Sequence, residues 1–278
     1  MVHVTPAYAG PRRCRPCDDA DMTSIAAAFR AEAEDLDTLV AGLGEADWRW
    51  DTPAAGWTIA HQIGHLVWTD EMTFLALTDP EAFADHAAAV KGNFDHVNQS
   101  ASERAARDQA RLLTDWRKGR MRVADALDAA DPASKVPWFG PPMRPRSMAT
   151  ARLMETWAHG QDVADALGVR RVPTDRLRDI CHLGVRTRDF AFRINGLEPP
   201  TGEFRIELTA PSGESWTWGP EDATERVTGS AEDFCLVVAQ RRDHPETSLV
   251  AHGPAATRWL PIAQVFAGPP RSQRGVDR

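Results

Sequence analysis

Glu155 and His159 are the residues whose types and spacing most directly suggest chemistry. They lie four residues apart in segment 148–167, whose apolar periodicity predicts a helix that ends at Gly168. That spacing places the two side chains about 40° apart on the helix surface, so both can reach one point. Apolar neighbours direct part of the pair toward a bundle interior, where unpaired charge is costly. The pair is therefore either a buried ion pair or a pair of metal ligands.

His65 adds a third donor from a second predicted helix, which runs from Thr58, a suitable N-cap, to about residue 77. Gly64 beside it would let a neighbouring helix approach closely. Two imidazoles and one carboxylate from different helices are typical of catalytic zinc, because three protein ligands leave one position open. Such a metal acidifies a bound water or thiol and polarises a carbonyl. Histidines and glutamates within helices also serve purely structural roles, so both interpretations stay open at this point.

Two further polar residues border these three donors. His61 precedes His65 by four residues, and His-x-x-x-His is itself a spacing of metal ligands. His61 is therefore a fourth ligand, a base beside the ligands, or an ordinary polar residue at the rim of the bundle. Asp162 follows His159 by three residues, where it either accepts a hydrogen bond from that imidazole or faces solvent.

The order of the predicted elements indicates an α+β protein with two units. Helices are predicted from residue 22 and over 58–77, 102–129, 148–167 and 174–193, strands over 204–210, 215–219 and 225–230, and helical segments over 231–242 and 256–268. Helices first and strands afterwards imply a helical bundle over 22–196 and a small α+β domain over 197–268. Residues 1–21 and 269–278 are predicted to be a disordered arm and a disordered tail.

Composition excludes several classes of function. The formal net charge of -8 argues against a phosphate-binding surface, so no nucleic-acid partner is expected. No apolar run approaches the roughly 18 residues of a membrane span, and neither an export signal nor a membrane anchor is expected. Four cysteines are too few for a disulfide framework, which favours a reducing cytoplasm.

The Cys14–Cys17 pair in the arm lacks the second CxxC of a zinc site. Phosphate-loop, dinucleotide and GxSxG signatures are absent.

These motifs resemble those of the mycothiol-dependent maleylpyruvate isomerase family, part of the DinB-like superfamily of metal-binding four-helix bundles. The resemblance rests on the Trp-Thr…His-Leu pattern within residues 56–66 and on the Glu…His…Asp pattern within residues 155–162. Residues 225–242 are similar to the sterol-carrier-like C-terminal domain of the family. The similarity covers nearly the whole chain from residue 22 to about residue 268. It implies a four-helix bundle with one extra helix, followed by a small α+β domain.

The resemblance also implies roles for individual residues. It makes His65, Glu155 and His159 the ligands of a metal, zinc or, as in related bundles, nickel. Family members use the metal to hold the thiolate of a low-molecular-weight thiol, mycothiol in actinobacteria, which attacks an electrophile. Isomerases then eliminate the thiol, whereas related transferases release the adduct. In the family, an arginine of the second domain assists binding or catalysis, and Arg241 is the matching candidate here. The alternative is that Arg241 and the adjacent Arg242 are a solvated pair of charges.

Three features depart from the family pattern: the arm before Met22, the fifth helix with Arg186 and Arg188, and Gln240 in place of an expected glycine. The substrate is therefore not inherited from the resemblance. We expect a metal-dependent, thiol-dependent isomerase or transferase that acts on a small molecule as a monomer or homodimer.

In this hypothesis His61, Asp162 and Arg241 support the chemistry. The alternatives are a thiol-independent hydrolase, lyase or cyclase of secondary metabolism, and a ligand-binding protein with a structural metal.

Overall fold

The computed structural model describes residues 22–268 except residues 92 and 94. The predicted arm with its Cys14–Cys17 pair and the predicted tail lie outside the described residues. The helices are α1 (Met22–Val40), α2 (Ile59–Thr78), α3 (Pro80–Ala89), α4 (Asp95–Ala105), α5 (Gln109–Ala129), α6 (Pro145–Leu167), α7 (Leu177–Arg186), α8 (Arg188–Ile194), α9 (Ala231–Val238) and α10 (Pro254–Trp259). The strands are β1 (Phe204–Thr209), β2 (Ser215–Trp218), β3 (Glu225–Ser230) and β4 (Val250–His252).

The four long helices α1, α2, α5 and α6 pack together as a bundle. Helix α2 is its central member, with apolar and small side chains buried around most of its circumference, as expected of a helix enclosed by neighbours. Thr58 is the N-cap of α2, and α6 ends at Gly168 with φ 65°, both as predicted. These two helices carry the three predicted donors.

The connection between α2 and α5 differs from the prediction. One helix was expected over 102–129, but the chain forms α3 and α4 first and begins α5 only at Gln109. The break lies at Asp108, whose carboxylate accepts a hydrogen bond from the backbone nitrogen of Arg111 (3.0 Å). Asp79 caps α3 in the same way through Ala82 (3.1 Å). Aspartate side chains compete for backbone donors, so each one starts a new helix.

Gly64 allows α4 to lie directly on α2. A Cβ atom at position 64 would lie 2.7 Å from the carbonyl oxygen of Ala101 and 3.1 Å from Cβ of Arg104. The predicted close helix approach at this glycine is confirmed, and it brings α4 beside His65.

The C-terminal part contains a four-stranded sheet in the order β2-β1-β3-β4. The central strands β1 and β3 are parallel, with Ile206 opposite Val227, and the two outer pairings are antiparallel. The three predicted strands and the α+β class are confirmed. Strand β4 was missed because it has only three residues, and the helix predicted over 256–268 is limited to α10 and a short 3-10 turn that ends at Ile262.

The predicted fifth helix is two helices, α7 and α8, separated at Thr187. The Thr187 hydroxyl donates a hydrogen bond to the carbonyl of Leu183 (3.0 Å). Helix α7 packs on α9 so closely that a Cβ at Gly184 would lie 2.8 Å from the ring of Phe234. The buried apolar core is therefore continuous from the bundle into the sheet, and the division of the chain at residue 196 stays a prediction. Within the described residues, no helix combines the length and apolar character needed to cross a membrane.

Candidate metal centre

His65 of α2 meets Glu155 and His159 of α6 between the two helices. The Nε2 atoms of His65 and His159 lie 3.3 Å and 3.2 Å from the same atom, Oε2 of Glu155. One potential ligand atom from each residue lies within 4.8 Å of the other two. The side chain of Glu155 is 23% exposed, so the group of donors is open on one side.

Burial and the mutual contacts set the protonation states of this trio. Burial, followed by the charge of His65, lowers the pKa of His159 to about 3 against the opposing effect of Glu155. Burial raises the pKa of Glu155, but the close contacts with His159 and His65 outweigh it and hold this pKa well below its ordinary value. At neutral pH the site therefore combines an ionised carboxylate with a neutral His159 imidazole.

Gln62 determines which nitrogen of His159 carries the proton. The fully buried amide donates through Nε2 to Oγ1 of Thr52 (2.8 Å), and its Oε1 lies 2.5 Å from Nδ1 of His159. An amide oxygen only accepts hydrogen bonds, so Nδ1 of His159 is the protonated nitrogen. Its Nε2 then presents a lone pair to the carboxylate of Glu155. The Nε2 lone pair and the carboxylate oxygen are both electron-pair donors, and their separation of 3.2 Å fits a cation bound between them. Two imidazoles and one carboxylate are ligands that zinc accepts.

Gln62 was not among the residues predicted for the site. Its only signal is its position, three residues before His65 on the same helix, because an uncharged amide has no pattern that distinguishes a structural from a functional role.

Trp57 covers the three donors from the loop before α2. Its ring stacks on His159 at a centroid distance of 5.9 Å and lies 5.4 Å from the ring of His65. The indole Nε1 donates to Oδ1 of Asn98 on α4 (3.2 Å), while the backbone carbonyl of Trp57 accepts from Thr52 Oγ1 (2.7 Å). The indole is thus held from two sides over the imidazoles.

His61 lies at the rim of this centre. Its Nδ1 accepts from the backbone nitrogen of Thr58 (3.2 Å) and contacts the Thr58 hydroxyl (2.8 Å). Burial lowers the pKa of His61. The structure places its ring 6.3 Å from Trp57, and among the described residues the group of converging ligand atoms consists of His65, Glu155 and His159.

Asp162 and Arg241 contact each other rather than the donors. Oδ2 of Asp162 is 4.0 Å from Nδ1 of His159, beyond hydrogen-bond distance, and 2.7 Å from Nη2 of Arg241. Burial raises the pKa of Asp162 against the lowering effect of Arg241. Arg241 also donates through Nε to the carbonyl of Ala158 (3.1 Å). This arginine therefore ties the C-terminal part of the chain to the backbone that carries His159.

Comparisons with known proteins agree with this architecture. A family model for the N-terminal domain of mycothiol maleylpyruvate isomerase matches residues 29–164, and a model described as wyosine base formation matches residues 200–252. Two Mycobacterium tuberculosis proteins, from strains CDC 1551 / Oshkosh and H37Rv and both described as uncharacterized, are 57% identical to this chain over 252 residues. The alignment covers 90% of this chain and 98% of each relative.

Two solved structures share the fold. They are crystal structures of the mycothiol-dependent maleylpyruvate isomerase, one of them of a mutant with a histidine replaced by alanine. At 14% identity, with TM-scores of 0.60 for the mutant and 0.59 for the other structure, they cover 88% of this chain and 98% of their own. Fold and site together define an α+β protein with two histidines and a glutamate converging in a helical bundle. Residues 29–164 belong to the family of mycothiol maleylpyruvate isomerase N-terminal domains.

Proposed function

We propose that this protein is a metal-dependent enzyme of the isomerase or S-transferase type, which uses a low-molecular-weight thiol to attack a small electrophile. The observation that carries the proposal is the convergence of His65, Glu155 and His159 on one point, with His159 held neutral and its protonated nitrogen turned away from that point. These donors lie within the part of the chain that the isomerase family model matches.

In this proposal His65, Glu155 and His159 bind one divalent metal, zinc first and nickel as the alternative. When bound, the metal supplies a Lewis acid that keeps a thiol ionised at neutral pH. Mycothiol is the proposed thiol, since the family is mycothiol-dependent and the relatives found are mycobacterial.

The chain's own residues orient and enclose the site. Gln62 holds the His159 ring through Nδ1, and Trp57 shields the imidazoles from water on one face. Nδ1 of His61 accepts a backbone hydrogen bond, so the neutral ring carries its proton on Nε2. We therefore assign His61 a role as a hydrogen-bond donor at the rim of the site.

Asp162 and Arg241 act in the proposal as positioning residues. Their ion pair and the bond from Arg241 to the Ala158 carbonyl fix the turn of α6 that ends at His159. The pair has little exposure, which makes it harder to break than a surface ion pair. It thereby links the geometry of the donors to the C-terminal part.

A cytoplasmic location is also proposed. Cys181 and Cys235 are free thiols whose sulfur atoms lie 3.5 Å apart in the buried core, a state that a reducing compartment preserves. The proposed partners are small molecules.

The first test is elemental analysis of protein purified without a metal-affinity tag, compared with the variants His65→Ala and His159→Ala. The exposed His252 in β4 provides a matched control, His252→Ala. We expect close to one equivalent of metal in the wild type and the control, and loss of metal in both site variants with helicity retained.

The metal-loaded protein is then supplied with mycothiol and a panel of unsaturated electrophiles, and thiol consumption and isomer ratios are followed. Turnover that requires the thiol supports the proposal. Turnover without thiol would indicate a thiol-independent metalloenzyme, and a folded wild type that neither contains nor takes up metal would refute the metalloenzyme altogether.

A further inference from the structure

A cavity of about 220 Å³ lies in the C-terminal part of the chain. Its walls come from the junction of α7 and α8, from strand β1 and from α10, and its described lining residues all lie between residues 185 and 259. An apolar cavity of roughly 150 Å³ holds a benzene molecule, whereas pockets for drug-sized ligands begin at roughly 300 Å³. The cavity therefore has room for one substituted ring.

One wall of the cavity is apolar and largely aromatic. Phe204 and Ile206 of β1 and Trp259 of α10 line it and are buried. The rings of Phe204 and Trp259 meet edge to face, with centroids 5.7 Å apart and an angle of 81° between their planes. Rings in this arrangement offer both faces and edges to a third ring. This wall therefore favours a planar aromatic ligand over a flexible aliphatic one.

Arg188 is fixed against the same wall. Its guanidinium lies over the ring of Phe204, 4.6 Å from the centroid. Nε and Nη2 both contact Oδ1 of Asp189 at 2.7 Å, and Nη1 donates to the carbonyl of Gly202 (3.1 Å). All three nitrogens therefore have partners within the protein, so Arg188 is an ordered part of the wall and not a free binding group for an anion.

The charges around the cavity balance one another. Its described lining residues include two arginines, Arg186 and Arg188, and two carboxylates, Asp189 and Glu203. Arg188 and Asp189 form an ion pair, while Arg186 and Glu203 are exposed to water, which weakens their attraction for a charged ligand. No net charge selects an ion here, so an uncharged ligand fits the cavity best.

The indole of Trp259 contributes a polar atom to this apolar wall. Its Nε1 is shielded from solvent and has no hydrogen-bond partner among the described residues. Buried N–H groups of folded proteins are almost always hydrogen-bonded, so the unpaired one requires an explanation. An indole N–H only donates, and the partner that it lacks is therefore an acceptor.

We propose that this cavity binds an uncharged planar aromatic molecule whose oxygen atom accepts a hydrogen bond from Nε1 of Trp259. The aromatic ring of the ligand packs against Phe204 and Trp259. This second small-molecule site goes beyond the proposed function, because it uses none of the metal ligands and requires neither metal nor thiol.

Acetophenone and α-methylstyrene are the probes, because they have the same shape and differ in a carbonyl oxygen against a methylene group. Binding is followed in nitrogen–proton correlation spectra, where the indole N–H signal of Trp259 is the one that Trp259→Phe lacks. This variant removes Nε1 and keeps an aromatic ring. Trp50→Phe, at an exposed tryptophan outside the cavity, is the matched control. Val185→Trp fills the cavity from a half-buried position in its lining.

A neutral hydrogen bond is worth about fivefold in affinity. We therefore expect acetophenone to shift the Trp259 signal and to bind wild type about fivefold more tightly than α-methylstyrene. Trp259→Phe should abolish this preference by weakening acetophenone binding alone. Val185→Trp should bind neither probe, and Trp50→Phe should bind both like wild type.

The proposal would be overturned if saturating acetophenone left the Trp259 signal in place, or if Trp259→Phe kept the full preference for acetophenone. A folded Val185→Trp protein that binds both probes like wild type would have the same consequence. Because Trp259→Phe keeps an aromatic ring, it tests the site even if Val185→Trp fails to fold.

The titrations are repeated on chelator-stripped protein, where the affinities should not change. Acetophenone binding that disappeared with the metal would place the ligand at the metal centre and refute the second site. None of these measurements requires turnover, so a failure of the thiol-dependent reaction is distinguishable from a failure of this site.

Discussion

Replacement of Gln62 by leucine tests the geometry of the candidate metal centre most directly. Leucine has nearly the same volume, so the change removes the acceptor for His159 Nδ1 without opening a large cavity. The ring then either keeps a buried N–H without a partner, at a cost of about 1–3 kcal/mol, or moves its proton to the nitrogen that faces Glu155. Both outcomes weaken metal binding.

Loss of a partner that orients a histidine ligand typically lowers metal affinity 10- to 100-fold, which corresponds to about 1.4–2.7 kcal/mol. We expect that range for Gln62→Leu when zinc affinity is measured by competition with a chromophoric chelator. Gln62→Glu should restore much of the affinity, because a carboxylate also accepts from Nδ1. Thr52→Val removes the contact to the other end of the amide and the hydrogen bond to the Trp57 carbonyl, but it leaves the acceptor for His159 in place and should have the smaller effect.

Circular dichroism of each variant establishes that the bundle is intact. Zinc affinity of Gln62→Leu equal to that of wild type, in a protein of unchanged helicity, would refute the conclusion that Gln62 selects the tautomer of His159.

Two further predictions concern stability. Gly64→Ala should lower the free energy of unfolding by about 1–3 kcal/mol in urea titrations, because the new methyl group would lie 2.7 Å from a backbone oxygen of α4. Gly42→Ala, where the space is open, is its control, and equal effects of both changes would contradict the packing argument. His159 has a folded pKa of about 3, so its contribution to stability is present above pH 6.5 and lost as pH falls toward 3. Metal-free His159→Gln should therefore lose less stability than metal-free wild type over that interval, and parallel pH profiles in thermal unfolding would argue against the assigned pKa.

The helices that carry the donors could be predicted because their boundaries depend on local signals. Thr58 and Gly168 mark the start of α2 and the end of α6, and apolar periodicity defines the rest. The break before α5 was not predicted because Asp108 reads equally well as a polar residue on a helix surface and as a cap. Strand β4 is too short to show an alternating pattern, and it forms only because β3 is beside it.

At the site, residue type and spacing made His65, Glu155 and His159 candidates for one group of donors, and the family resemblance selected them over a purely structural role. The partners of Asp162 could not be foreseen in the same way. Its carboxylate pairs with Arg241, 79 residues further along the chain, and such a contact depends on how the C-terminal part packs on α6. Gln62 illustrates the same limit, since its role follows from three-dimensional contacts with Thr52 and His159.

The connection between α2 and α5 supplies residues near the donors but none of the donors themselves. The donors come from α2 and α6, whereas Asn98 and Arg104 both belong to segment 79–108. A change in this one connection alters the hydrogen bond that Asn98 accepts from the Trp57 indole and the packing of α4 at Gly64, while the donors themselves stay on α2 and α6. Exchange of this segment alone is therefore expected to change how Trp57 is held over the donors without replacing any of them.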